Sequence, residues 1–418
     1  MSAIVLLLLQ AGAAAYDPQG IHVDPDGVLR SRSVDPDPRL AETRRNARQA
    51  PAQDGLLYIS LPKLFTEARR LREAKKPLPD EIRYLGGLTK LTYVFAYPDE
   101  KDLVIAGPSE PIDARDAYRP LGRRTGRPLM HLDDLVTAIR AFAPGRRPDR
   151  LGCDIDITPE IRERVAAKIK AIGPTARLTG FQKTCDRIAE AGGPQPVKYY
   201  GMDPDTRFAF VCVEADYRLK QLALGYWPSP VKEVPSYKSL LLVPEMELRF
   251  SLESSYEALR ASPDGTAFEL KGPSLKVNGG RLGDPASTVQ DMTPAGRTFV
   301  EACNAHLDGL TRTLICWSDL MNLADLSVLA ALLTGGDRLA ERTGWDLGWI
   351  LDPAACEIAR MPAPRSAATL CAIAVSGNNA IFVTGGIWIK PAEWMSKRAP
   401  DPAFAPSGPR PSAAWSAR

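Results

Sequence analysis

A chain of 418 residues, 44% hydrophobic and 25% charged, has enough apolar material for two domains or one large core with additions. Its 53 basic and 50 acidic residues leave a net charge of +3, so no overall field draws it to nucleic acid or to an anionic membrane. With 3 histidines in the chain, a histidine-rich metal centre is excluded.

The chain opens "MSAIVLLLLQAGAAAYDPQG". An apolar run over 3–9 leads into small residues, with Ala13 and Ala15 placed as a cleavage site, so residues 1–15 read as a signal peptide. The run is too short to span a bilayer, and no integral membrane segment is expected after processing. Residues 16–54 form an extended polar arm, in which "IHVDPDGVLRSRSV" suggests a small hairpin around Asp24 to Gly27.

From residue 55 the patterns strengthen, and 55–240 reads as an α/β-type domain. Ser60 caps a helix with Pro62 early in it, and Leu61, Leu64, Phe65, Ala68 and Leu71 fall at helical spacing. "LTKLTYVFAYPDEKDLVIAGP" is a hairpin around a Pro-Asp turn, and "HLDDLVTAIRAF" is a helix. "LGCDIDI" is a strand, followed by helices in "TPEIRERVAAKIKAI" and "FQKTCDRIAEAGG". "VKYYGMDPDTRFAFVCV" again reads as two strands around a Pro-Asp turn, with a helix starting at Glu214. Helix, hairpin, helix then occurs twice, near 61–143 and 181–225, which suggests an internal duplication.

Residues 241–390 read as an α+β domain. "EMELRFSLES" alternates as a half-buried antiparallel strand, and 294–334 is mainly helical. The apolar stretch "LMNLADLSVLAALL" is a core helix that carries Asn322 and Asp325. "TLCAIAVSGNNAIFVTGGIWI" is a hairpin, and 391–418 reads as a disordered tail. The fold class is therefore α+β, with repeated helix–hairpin–helix units in the N-terminal half and antiparallel strands plus long helices in the C-terminal half.

Chemistry is harder to find. In "EADYRLK", Glu214 and Asp216 would converge as an acid–base pair only if a strand ran through them. The helical reading makes them first-turn acids, with Glu214–Arg218 and Asp216–Lys220 as i,i+4 pairs. His131 beside Asp133 and Asp134 lacks a third metal ligand. Cys303 and His306 share one helical face with Phe299 and Leu310, an apolar stripe that favours packing over a nucleophilic dyad. Cys212, Cys316 and Cys371 sit in apolar strings and read as buried thiols, and the odd count of 7 leaves at least one outside any intrachain disulfide. No phosphate-binding glycine loop or nucleophile elbow occurs, so no catalytic residue, metal or cofactor is assigned. Two basic loops remain. Arg119, Arg123, Arg124, Arg127, Arg146, Arg147 and Arg150 could bind an anionic polysaccharide or phosphate; of these, Arg123, Arg124, Arg127, Arg146 and Arg147 are the candidate anion-binding set.

The stretches "PDEIRYLGGLTKLTYVFAYPDEKDLVIAGPSE", "GRPLMHLDDLVTAIR", "GCDIDITPE" and "TRFAFVCVEADYRLKQLALG" carry a resemblance over about residues 20–390. The chain resembles large secreted proteins of planctomycete bacteria that contain a domain of unknown function. The resemblance implies a secreted, periplasmic or cell-envelope setting and brings no catalytic or binding residues. The expectation is a structural or interaction protein, with an anionic polysaccharide or an envelope protein as partner and no nucleic acid. The alternative is an extracytoplasmic hydrolase with an unrecognised active site.

Overall fold

The computed structural model describes residues 21–31, 55–146, 148–155, 157–172, 181–241, 248–256, 258–284, 286–373, 380–404, 408 and 414–417. Its described strands form two large sheets and two small hairpins. The nine-stranded sheet runs, edge to edge, through Ile21–Val23, Val28–Ser31, Ser366–Ala368, Pro194–Tyr200, Leu151–Ile155, Gly386–Ile389, Leu248–Ser254 and Leu275–Arg281, with Val383–Thr384 also paired to Leu248–Ser254. The seven-stranded sheet runs Ala399–Pro400, Ala258–Ala261, Ala267–Lys271, Tyr93–Tyr97, Asp102–Gly107, Leu57–Ser60 and Ser416–Ala417. Each sheet draws strands from both sides of residue 240.

The expected first helix, Leu61–Glu73, buries the five apolar residues named from its periodicity, and the Ser60 hydroxyl accepts from the Lys63 amide at 3.4 Å. The hairpin Tyr93–Tyr97 with Asp102–Gly107 and the helix Leu132–Ala141 also form as expected. So does the hairpin Ile21–Val23 with Val28–Ser31, turned by Gly27 at φ 76°.

The second helix–hairpin–helix unit does not form. Pro194–Tyr200 is a strand, but the run after the Asp203-Pro204 turn is helical from Arg207 to Leu224, capped by Thr206, whose hydroxyl accepts from the Ala209 amide at 3.3 Å. Aromatic and β-branched residues in "FAFVCV" suggested a strand. In the folded chain the segment is surrounded by core, so tertiary packing overrides that local preference.

This helix lies beneath the nine-stranded sheet, against Leu151–Ile155, Gly386–Ile389 and Leu248–Ser254. Behind it runs Ile315–Thr334, which also packs on Leu132–Ala141 and on the helix Pro391–Lys397. At twenty residues Ile315–Thr334 extends beyond the stretch "LMNLADLSVLAALL" and is long and apolar enough to cross a membrane; 89% of its apolar window is buried inside the protein. Its polar residues fasten other parts of the chain. Asn322 Nδ2 donates to the Pro128 carbonyl at 3.0 Å, and Asp325 accepts from the Leu91 amide and the Tyr256 hydroxyl, each at 3.2 Å.

Two other expectations change. The strand Leu248–Ser254 is interior to the sheet, flanked by parallel neighbours from 383–389 and by its antiparallel partner, and its residues are buried except for the partly exposed Arg249. The C-terminal segment read as a disordered tail is structured where it is described. After the helix Pro391–Lys397, Ala399–Pro400 and Ser416–Ala417 join the seven-stranded sheet, and Phe404 packs with Phe95 and Val104. The proposed signal peptide and most of the polar arm lie outside the described residues.

Candidate functional site

Glu214 and Asp216 sit in the middle of the helix Arg207–Leu224, and both are fully buried. The reading of them as exposed first-turn acids is therefore corrected. Glu214 does not pair with Arg218. Its Oε2 accepts from Arg119 Nη2 at 2.6 Å and from the Tyr118 hydroxyl at 3.1 Å. Arg218 instead donates to Gln221 Oε1 at 2.8 Å. The expected Asp216–Lys220 pair does form, inside the core, and Lys220 Nζ also donates to the Gly385 carbonyl at 3.2 Å.

Arg119 belongs to this buried cluster and not to a solvated loop. Its Nε donates to Asp319 Oδ2 at 3.0 Å, and Arg207 bonds both Asp319 and Asp134. Two guanidinium groups thus face three carboxylates, on a loop and three helices. Burial raises the Asp134 carboxyl to about 7; Arg207 opposes this, while Asp319 and Asp133 add to it. Burial also works against the Arg207 charge, but Asp134 and Asp319 outweigh it and hold its pKa above the ordinary value. His131 stacks edge-on against Tyr84 with centroids 5.1 Å apart, and burial, with Arg207 and Arg119, pushes its pKa well below the usual range. Every charged group of the cluster is at most 8% exposed, so it is a pin between helices, closed to a substrate. The first-turn account of "HLDDLV" holds for the helix start, yet Asp134 is held by Arg207, and Asp133 Oδ2 accepts from the Ala359 amide at 3.0 Å.

Among the other loop arginines, those described with partners bond separate groups. Arg123 Nε donates to the Ile112 carbonyl at 2.9 Å, and Arg124 Nη2 to the Ser109 carbonyl at 3.0 Å. Arg127 lies 3.5 Å from Asp308, Arg146 is exposed, and Arg147 lies outside the described residues. Cys303 is buried, while His306 stands at the break between the helices Pro294–Ala305 and Leu307–Thr313, so the two do not share one continuous helix.

Arg150 is placed differently. Its guanidinium lies 3.9 Å from the Tyr200 ring centroid and 5.2 Å from that of Trp388. Arg249 approaches the same indole at 5.1 Å and Lys390 Nζ at 4.9 Å. The indole Nε1 donates to Asp154 Oδ1 at 3.0 Å, and Arg150 Nη2 bonds the other oxygen of that carboxylate at 2.7 Å. Strand alternation explains the grouping. Cys153, Ile155, Phe250, Leu252, Ile387 and Ile389 point to the helices, so their neighbours Asp154, Arg249, Glu253 and Trp388 point to the other face. Register adds Lys198 opposite Asp154 and Lys276 opposite Glu253 on this face. Five cations there meet two carboxylates, while Trp388, Arg150, Arg249 and Lys390 are each partly exposed.

Glycines make room for the group. A Cβ at Gly386 would lie 2.1 Å from Asp154 Oδ1, and Trp388 stands opposite Gly152 in the adjacent strand. Beside the indole, the buried Glu253 Oε1 accepts from the Ser251 hydroxyl at 2.9 Å and from Asn278 Nδ2 at 3.0 Å. Sequence reasoning named Arg150 but missed Trp388, Arg249, Lys390, Asp154 and Glu253. They come from three separate strands; the available signal was a tryptophan between glycine and lysine in "GGIWIK".

The strand Leu151–Ile155, the helix Arg207–Leu224 and the segment between them now stand in one frame. Residues 153–237 match a protein family of unknown function, DUF1598. The DUF1598 segment supplies Asp154 and Tyr200 to the open sheet face and Arg207 and Glu214 to the buried cluster. Trp388, Arg249 and Lys390 lie outside it. No curated protein and no solved structure matches the chain.

Proposed function

We propose that this is an interaction protein of a secreted or envelope setting, and that the Trp388 face of its larger sheet binds anionic polymers, acidic polysaccharide in particular. One observation carries the reading. Three cations from three strands or strand ends converge on one indole, each within 5.2 Å of its centroid, and one of them, Arg150, also bonds Asp154 at 2.7 Å. Like charges held so close repel each other, and an incoming carboxylate or sulfate relieves that repulsion. Two of the three are guanidinium groups, whose planar forks match such oxyanions. Arg249 also donates to the Ser287 carbonyl at 2.7 Å, as the loop residues Arg123 and Arg124 do to the Ile112 and Ser109 carbonyls; what sets the sheet face apart is the shared indole.

On this face the hydrolase alternative would use Asp154 and Glu253, the carboxylates flanking Trp388. Both are engaged in hydrogen bonds that orient the site, which favours binding over turnover.

The test is binding of the full chain to polygalacturonate at two salt concentrations. Replacing Arg150, Arg249 and Lys390 together with Gln removes three contacts of about 0.5–1 kcal/mol each, a weakening of roughly 10- to 100-fold. Replacing Arg123, Arg124, Arg146 and Arg147 with Gln should change binding less than threefold. Binding that ignores salt, or that follows the loop set instead of the sheet set, would reject the site. Hydrolysis of the polymer that is lost in Glu253→Gln would establish the enzymatic alternative.

A further inference from the structure

All 7 cysteines are buried thiols, and two of them, 186 residues apart in sequence, meet. Cys185 lies on the helix Phe181–Gly192, and Cys371 immediately precedes the strand Ala372–Ile373. The Cys371 Sγ donates to the Cys185 carbonyl at 3.2 Å, so the thiol of one cysteine reaches the backbone of the other. Both belong to a small apolar cluster, separate from the main core, with Ile157, Ile161, Val165 and Ile188.

The backbone around Cys371 is fixed on both sides. Its amide donates to the Tyr226 hydroxyl at 3.2 Å, and that hydroxyl donates to the Cys371 carbonyl at 3.1 Å. Two residues earlier, the Thr369 hydroxyl donates to the Gly193 carbonyl at 2.7 Å, just beyond the end of the Cys185 helix. The pair is thus presented by two elements already held in contact, as a disulfide requires of its partners.

We propose that Cys185 and Cys371 are a latent disulfide pair, which closes in an oxidising compartment by exchange with a small-molecule disulfide. One thiol loses its proton and attacks the oxidant, glutathione disulfide for example, forming a mixed disulfide and releasing one glutathione thiolate. The second thiolate then attacks the protein sulfur of that mixed disulfide and releases the second glutathione. The two protein thiols are oxidised, the oxidant is reduced to two thiols, and the two protons pass to the released thiolates. Both sulfurs are buried, so exchange waits on local opening of the Phe181–Gly192 helix, or takes place during folding before the cluster closes. The bond would tie that helix to the segment that leads into the 380–389 strands.

The experiment starts from fully reduced full-length protein. One sample is equilibrated natively in a glutathione redox buffer, and a second is denatured and refolded in the same buffer; both are then alkylated in denaturant, digested without reduction and read by mass spectrometry. The expected product is one peptide joining Cys185 to Cys371, about 2 Da lighter than its separate parts, with the other cysteines alkylated. It should be absent in Cys185→Ser and in Cys371→Ser and present in Cys212→Ser. The oxidised protein should also unfold at higher urea than the reduced one. Failure to find the linked peptide in the refolded sample, or a bond between other cysteines, overturns the proposal.

Discussion

Replacing Glu214 with Gln tests whether the centre of the long helix is an ionic pin. In the wild type this carboxylate accepts two hydrogen bonds from Arg119 and one from Tyr118, with none of its surface exposed. Glutamine keeps the shape and one acceptor oxygen but removes the charge, and its amide protons face a guanidinium. Breaking one partner of a buried pair costs about 3–5 kcal/mol, because the remaining charge is left inside without compensation. An exposed first-turn acid would cost only about 0.3–1 kcal/mol, so the two pictures differ severalfold. Equilibrium urea unfolding followed by tryptophan fluorescence suits the measurement, since the Trp317 indole donates to the Ala215 carbonyl beside the pin. The double variant Arg119→Met, Glu214→Leu should cost less than the sum of its single changes, by about 2–3 kcal/mol. A Glu214→Gln loss below about 1 kcal/mol, or strict additivity in the cycle, would refute the ionic-pin account.

Asp134, whose carboxyl is raised to about 7, binds its proton more tightly in the folded chain than in the unfolded one. Its contribution to stability is therefore complete below about pH 4, declines as pH rises and is lost by about pH 7; Asp134→Asn should flatten that decline in urea midpoints measured between pH 4 and 8, and parallel profiles would contradict the assignment. Cys212, Cys316 and Cys371 should resist iodoacetamide in the folded, reduced protein and react in denaturant, because burial raises each thiol, with the Cys185 hydrogen bond the largest contribution at Cys371; fast native labelling of any of them, read by peptide mass, would disprove this. Gly386→Ala should destabilise the protein by about 1–3 kcal/mol, as overpacking does, and weaken polyanion binding with it, since a Cβ there collides with Asp154 and with the Cys153 carbonyl. Unchanged melting and binding in that variant would show that the strands give way.

Periodicity made the first helix legible, because it buries residues at helical spacing, while the first hairpin and the Asp24–Gly27 turn were legible from their β-rich runs and Pro/Asp/Gly turn residues. The helix Arg207–Leu224 was only half legible. Its entry was hidden by a β-rich composition, although Thr206 three residues before Ala209 offered a cap. The role of Glu214 was not legible at all, since its partners Tyr118 and Arg119 lie almost a hundred residues away and approach through a loop. The same holds for the sheet face. Arg150 could be named because it sits in a basic loop, but Trp388, Arg249 and Asp154 become one group only when the strand order is known. A sequence reveals which side of a strand a residue occupies more readily than which strand lies beside it.

The strand order also bears on how the chain can be made. Inside the larger sheet, Pro194–Tyr200 and Leu151–Ile155 pair with each other, but their outer neighbours are Ser366–Ala368 and Gly386–Ile389. A ribosome therefore delivers the two middle strands well over a hundred residues before the strands that cover their edges. Until then both edges offer open backbone groups to any passing strand, the condition under which nascent chains aggregate. Closure of loops this long is slow, so production in a foreign host should respond to slower translation and to chaperones that shield strand edges. A fragment cut to the DUF1598 match would keep both edges open permanently.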